Sequence, residues 1–213
     1  MRLYSFWRSS AAYRVRIALA LKGIACEAVA VPLAGGAQHD ATYAALNPQQ
    51  LVPTLVLDDG TVLTQSLAII DYLEAMHPTP PLLPADPVAR AHVIAAAHSV
   101  AMDIHPLNNL RLLGELEARF GASAADKQAW MAHWMTLGFA ALERMVTPSP
   151  FAFGTSPSLA DICLIPQLYN ARRWQVDVAP YPRLTSIEAA CLSLPAFQAA
   201  APDAQPDAPQ TQD

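Results

Sequence analysis

The sequence predicts a small α/β domain followed by an all-helical domain, and three observations carry that reading. Strand-like and helix-like segments alternate over residues 2–76 in the order β-α-β-α-β-β-α. Residues 77–87 then hold five prolines (Pro78, Pro80, Pro81, Pro84 and Pro87), the composition of a linker. Beyond them every periodic segment reads as helix, in a chain with 41 alanines against 8 glycines, a balance that favours helix. The boundaries are an α/β domain over 1–78, a linker over 79–87, a helical domain over 88–201 and a flexible tail over 202–213.

Each element has a local reason. Residues 2–6 (Arg-Leu-Tyr-Ser-Phe) form a short strand, and residues 13–22 a helix closed by Gly23. Val15, Ile17, Ala18 and Leu21 include helical spacings. Residues 27–32 read as a second strand and 40–46 as one or two helical turns. Leu55–Leu57 and Thr61–Thr64 flank Asp58-Asp59-Gly60, a hairpin signal. A helix over 66–76 follows, with Ser66 as its cap. Later helices cover about 88–120, 124–147, 158–174 and 184–200, with His105-Pro106 marking a kink or break in the first. Ser158-Leu159-Ala160-Asp161 fits a capping box, with Pro157 and Ile162 as its staple. Trp130 and Trp134, spaced i, i+4, read as packing residues.

Composition excludes several classes. A chain of 213 residues and 22.9 kDa buries enough surface to need no staples. At 53% hydrophobic and 15% charged it is neither disordered, collagenous nor a disulfide scaffold. Cys26, Cys163 and Cys191 lie far apart, an odd number in no metal spacing, which reads as a reduced, cytoplasmic chain. No run of 18 residues is free of charge, and Met1-Arg2 leads into a strand with no signal-peptide core, so no membrane role is expected. A formal charge of −5 argues against nucleic acid as a partner. Yet five of the 13 basic residues (Arg2, Arg8, Arg14, Arg16 and Lys22) crowd the N-terminus, and none follows until Arg90. Arg14 and Arg16 lie inside the first helix and read as salt-bridging or snorkelling residues. There is no Walker motif, no Gly-rich dinucleotide fingerprint and no Cys-x-x-Cys pair.

Three segments have chemical potential. Phe6-Trp7-Arg8-Ser9-Ser10-Ala11-Ala12-Tyr13 joins the first strand to a helix start, where hydroxyls and free amides favour an anion such as a thiolate. Plain N-capping by Ser9 or Ser10 explains the same residues. In Leu51-Val52-Pro53-Thr54, a cis Pro53 would turn the Val52 backbone outward to pair with an extended peptide; an ordinary turn is the alternative. In Thr64-Gln65-Ser66-Leu67, the free amides of a helix start suit a carboxylate, although most helices begin this way.

Together these stretches resemble the glutathione transferase family, and within it the zeta class of maleylacetoacetate and maleylpyruvate isomerases. The resemblance extends to Asn47-Pro48-Gln49-Gln50, Gln65-Ser66-Leu67-Ala68-Ile69-Ile70, Asp103-Ile104-His105-Pro106-Leu107-Asn108-Asn109, and Asn170-Ala171-Arg172-Arg173-Trp174-Gln175-Val176-Asp177 with Pro180-Tyr181-Pro182. It implies a thioredoxin-like N-terminal domain, a helical C-terminal domain (the glutathione transferase fold), a homodimer, and glutathione as essential cosubstrate. By the same resemblance Ser9, Ser10 and Ala11 surround the glutathione sulfur, Val52 pairs with its cysteinyl backbone, and Gln65 and Ser66 hold its γ-glutamyl group. His39 lies near the glycyl end; His105 and Asn109 contribute from the helical domain. Many zeta-class members carry cysteine where this chain has Ala11, so the sulfur chemistry here belongs to glutathione.

The implied reaction is cis–trans isomerisation of a small dicarboxylate keto acid. A thiolate adds to the activated alkene, the bond rotates, and the thiolate is expelled, leaving the trans isomer and regenerated glutathione. The developing enolate and the carboxylates need fixed cations, for which arginine is suited because it stays charged and binds bidentately. Arg8 and Arg173 are the candidates; Arg111 either joins them or faces water, and Arg172 is read as structural. Two other functions compete. One is conjugation of unrelated electrophiles such as halogenated acids, and the other is a non-catalytic protein-binding role. Paired arginines argue against the first, and the intact Ser9-Ser10 and Pro53 against the second.

Overall fold

Buried Leu3 and Ser5 alternate with the more exposed Arg2 and Tyr4, which makes Arg2–Ser5 a strand, β1. The computed structural model describes residues 1–209. They fall into two compact units: Met1–Pro81 together with the chain from Ser193 onward, and Leu82–Leu192.

In the first unit a four-stranded sheet has the order β2-β1-β3-β4. β1 runs parallel to β2 (Glu27–Ala30) in the register Leu3↔Ala28, and antiparallel to β3 (Thr54–Val56) with Leu3 opposite Leu55. β3 and β4 (Val62–Thr64) form the expected hairpin, and Gly60 takes its turn at φ 87°. Helix α1 (Ser10–Leu21) connects β1 to β2 and packs along α3 (Ser66–Met76). Val15, Ile17, Leu55, Ile69 and Leu73 are fully buried and make the core of this unit. A short α2 (Ala41–Leu46) contributes Tyr43, which packs with Val31 and Val52 against Tyr4 and Phe6.

The second unit is helical. α4 (Pro87–His98) starts on Asp86, whose carboxylate accepts from the Ala89 amide at 2.8 Å. The stretch expected as one helix to residue 120 breaks where His105-Pro106 predicts, into a π turn at Ser99–Ile104 and a 3-10 turn at His105–Asn108. α5 (Leu110–Phe120) then begins on an Asn109 cap. α6 (Ala124–Met145) begins on a capping box formed by Ser123 and Asp126. It passes so close to the π turn that a Cβ on Gly138 would overlap the Ile104 side chain. α7 (Leu159–Arg173) starts on the Ser158–Asp161 box: Asp161 accepts from the Ser158 amide and hydroxyl, each at 2.8 Å, and from the Ala152 amide at 2.8 Å. α8 (Pro182–Leu192) packs on both α6 and α7.

The helix expected over 184–200 is two helices. Pro195 opens α9 (Pro195–Ala200), which packs on α1 in the first unit, with Phe197 fully buried. Periodicity reads through this boundary because alanine-rich sequence is helical on either side of it, whereas Pro195 lacks the N–H a continuous helix needs. The expected tail is structured through its described part. Pro202–Ala204 form a 3-10 turn with Pro202 buried, and Gln205 and Asp207 bond back to this unit. Residues 210–213 lie outside the described residues.

Candidate active site

At the start of α1 the backbone is organised around Ser9. Its hydroxyl accepts from the Ala12 amide at 3.2 Å, its carbonyl accepts from Tyr13, and its own amide donates to Phe6 O at 2.9 Å. Ser9 is therefore a cap, as the plain reading held, while Ser10 is buried as the first helical residue and Ala11 is half-buried beside it. These residues sit where the helix dipole is positive and amides lack intrahelical acceptors. The Arg8 guanidinium lies 5.2 Å from the centre of the Trp7 ring and 6.0 Å from that of Phe6, so the adjacent cation is held by stacking.

The Leu51–Pro53 segment is fixed by a buried polar network. Asn47 Nδ2 donates to Leu51 O at 2.7 Å and to Thr54 Oγ1 at 3.0 Å. The Tyr43 hydroxyl donates to Leu51 O at 2.7 Å and lies 3.0 Å from Thr54 Oγ1. Burial pushes the Tyr43 phenol up, so it stays a protonated donor. The Val52–Pro53 bond is cis. Among the described residues the peptide N–H and C=O of Val52 take no hydrogen-bond partner. A buried residue with both peptide groups unsatisfied is the geometry a strand-like peptide ligand completes. Tyr43 was not singled out from the sequence, and Asn47 and Thr54 lie in stretches named there but were given no role of their own; Asn47-Pro48 is the signal that marks the turn.

Ser66 is not the cap of α3 but its first residue. Gln65 holds the cap position with φ 68°, a left-handed conformation that costs energy in a non-glycine residue. Ser66 is buried and its Oγ accepts from Arg14 Nη1 at 3.3 Å. A guanidinium only donates, so the Ser66 hydroxyl hydrogen is left to point elsewhere. Arg14 itself is 2% exposed and Arg16 8%, so neither snorkels. The exposed Gln65 side chain bonds Gln49 at 2.8 Å. His39 is exposed, and its Nδ1 lies 2.6 Å from Gln50 Oε1.

The first unit thus ties three segments together. Arg14 links α1 to the start of α3, Gln65 links that start to the Asn47–Val52 turn, and Val52 packs in one cluster with Phe6. Expected site residues of the second unit lie on the 3-10 turn, at the start of α5 and at the end of α7. His105 opens the 3-10 turn, which Trp130 Nε1 holds by donating to Leu107 O at 2.9 Å. Asn109 spends its side-chain oxygen on the Arg111 amide at 2.9 Å, and Arg111 is exposed in the first turn of α5. Arg172 is committed to Glu188, with Nε 3.1 Å from Oε1 and Nη2 on Oε2. Arg173 is exposed, with its guanidinium 4.8 Å from the centre of the Trp174 ring.

Two of the three thiols, Cys26 and Cys191, are poor nucleophiles. Burial pushes the half-buried Cys26 up, and burial followed by the nearby Asp161 charge pushes Cys191 up further. Among the described residues no His/Cys/Asp/Glu group could hold a metal ion. What the first unit offers is an anion-stabilising helix start, an unsatisfied strand-like peptide edge and a second polar helix start, a set that fits a small anionic peptide thiol.

Comparison with known proteins agrees with that chemistry. Residues 3–81 match the model of the glutathione S-transferase N-terminal domain, and residues 128–186 that of the glutathione S-transferase C-terminal domain. Maleylpyruvate isomerase from Ralstonia sp is 49% identical over 212 residues, covering 97% of this chain and 99% of that protein. The holo structure of a maleyl pyruvate isomerase, a bacterial zeta-class glutathione S-transferase, superposes with a TM-score of 0.95 at 48% identity, covering 98% of this chain and 100% of the other. Maleylacetoacetate isomerase from Methylobacterium extorquens AM1, solved with bound malonate and GSH, superposes with a TM-score of 0.94 at 40% identity, covering 98% and 100%.

Proposed function

The chain belongs to the zeta class of the glutathione S-transferase family, and from that premise we propose that it is a glutathione-dependent cis–trans isomerase of maleylacetoacetate or maleylpyruvate in aromatic-compound breakdown. The observation that supports it best is the unsatisfied peptide edge of Val52, tied through Phe6 packing to the strand that leads into the Ser9–Ser10 helix start.

When bound, glutathione supplies the thiolate that adds to the cis alkene and leaves after rotation. Everything else falls to side chains of this protein. The peptide groups of Val52 pair with the cysteinyl backbone as an added strand. Gln65 and Ser66 hold the γ-glutamyl group at the start of α3, and His39 serves the glycyl end. Ser9 and Ser10, with the first amides of α1, favour the ionised sulfur, since an unperturbed thiol at about 8.5 is mostly protonated at neutral pH. Ala11 leaves space beside it. Arg8 binds a substrate carboxylate and takes up negative charge developing on the keto oxygen, and Arg173 holds the far carboxylate. Arg111 adds a third cation at the substrate end, and His105 and Asn109 complete the glutathione contacts. The protein acts as a homodimer in the cytoplasm, where its three cysteines remain reduced.

The test is isomerisation of freshly made maleylpyruvate and maleylacetoacetate in parallel, followed as loss of the cis absorbance with and without glutathione. Glutathione-dependent turnover is expected, and the ratio of the two kcat/KM values identifies the substrate. Turnover of neither would overturn the reading.

A further inference from the structure

The Phe6–Ser9 loop carries Arg8, yet its backbone is held from behind by residues remote in sequence. Arg16 is 8% exposed, and its guanidinium spreads over four acceptors. Nε donates to Ala200 O at 3.0 Å, Nη1 to Ser5 Oγ at 3.1 Å and Phe6 O at 3.4 Å, and Nη2 to Trp7 O at 2.9 Å. From the C-terminal segment, Asp207 Oδ2 accepts from the Trp7 amide at 2.9 Å. The N–H and the C=O of Trp7 are therefore each bound by a charged side chain of matching polarity, an anion on the donor and a cation on the acceptor. The segment bearing Asp207 is anchored in turn, by Arg16 on Ala200 and by Gln205 Nε2 on Ala199 O at 3.0 Å and Ala201 O at 2.9 Å.

We propose that Asp207 is a positioning residue for the reaction: by fixing the peptide plane before Trp7 it sets the direction in which Arg8 leaves the loop. This rests on the reading of Arg8 as the clamp on substrate charge. The Arg8 guanidinium stacks on Trp7 and Phe6, so a rotation of the Trp7 peptides moves both the cation and the rings that support it. Catalysis by a fixed cation is sensitive to such motion, because a misplacement of about 1 Å can cost 10²-fold in rate. The carbonyl side of the same peptide plane is held by the Ser9 amide at 2.9 Å and by Arg16 Nη1 at 3.4 Å, and Asp207 supplies the hold on its N–H side.

The test compares Asp207→Ala and Asp207→Asn, with Arg8→Gln and the Arg8→Gln/Asp207→Ala pair, in the full chain. Asn keeps an oxygen acceptor for the Trp7 amide; Ala does not. The expected result is a fall of about 10-fold in kcat/KM for the keto acid in Asp207→Ala. KM for glutathione stays within about twofold, Asp207→Asn remains near wild type, and the Trp7 amide exchanges faster in Asp207→Ala than in Asp207→Asn. On the Arg8→Gln background Asp207→Ala costs nothing more. Wild-type activity per folded molecule in Asp207→Ala, an equal loss in Asp207→Asn, or a full further loss on the Arg8→Gln background would overturn the proposal. A wild-type protein that turns over neither keto acid overturns instead the isomerase reading on which it rests.

Discussion

Asp161 shows how a residue suited to catalysis can be wholly occupied by structure. It is fully buried and accepts from the Ser158 amide and hydroxyl, the Ala152 amide and the Cys191 thiol. Burial pushes its carboxyl above the ordinary 3.8, against the pull of those bonds. An acid whose pKa is raised on folding holds its proton more tightly in the folded state. Its contribution to stability is then full below 3.8 and declines as pH rises through the folded value. Asp161→Ala is predicted to cost about 3 kcal/mol by stranding buried donors, with a larger loss near pH 4 than at pH 7. Paired denaturant melts of the two proteins at both pH values measure this, and a loss that grew with pH would contradict it. This box was legible because Ser-x-x-Asp before an apolar run is a local signal. Arg14 and Arg16 were not, because their partners Ser66, Ala200 and Trp7 are brought to them only by the fold. A sequence gives their place on the helix but not the carbonyls that make burial of a guanidinium affordable.

At the scale of elements, the site depends on turns more than on helices. The Asn47–Pro53 turn holds the Val52 peptide edge, and Asn47, 1% exposed, bonds Leu51 O, Thr54 Oγ1 and the Gln49 amide. Asn47→Ala is predicted to raise KM for glutathione about 10-fold, a change of 1.4 kcal/mol in binding. The kcat at saturating glutathione should change by less than about twofold, because the sulfur-facing residues lie on α1. Glutathione titrations of initial rate check this, and an unchanged KM with a reduced kcat would count against Val52 as the docking edge. The hairpin and α3 were read with nearly their observed bounds, since turn chemistry and apolar spacing are local. The start of α1 was read three residues late, at Tyr13 instead of Ser10, because Ser9-Ser10-Ala11-Ala12 lacks the large apolar residues that announce a helix. The split between α8 and α9 was missed for the complementary reason: alanine-rich sequence is helical in pattern even where Pro195 redirects the chain.

For the whole molecule, composition and order gave an α/β unit followed by helices, and both are present. They did not show that the chain from Ser193 belongs with the N-terminal unit, since no local pattern names a tertiary partner. No helix is long and apolar enough to cross a membrane among the described residues. The residues proposed for glutathione from Ser9 to Ser66 share one unit, His105 and Asn109 lie in the other, and all were read from family motifs carried by short contiguous stretches. The cations proposed for the substrate, Arg8, Arg111 and Arg173, are dispersed along the chain, and their proposed roles rest on charge chemistry and family resemblance rather than on contacts. In the proposed reaction glutathione is a catalyst and not a reactant. The most direct measurement counts free thiol before and after many turnovers of the cis keto acid by the wild-type protein. Complete conversion to the trans isomer with the thiol titre unchanged is expected. Loss of thiol mole for mole with substrate, or conversion that proceeds equally without glutathione, would contradict it.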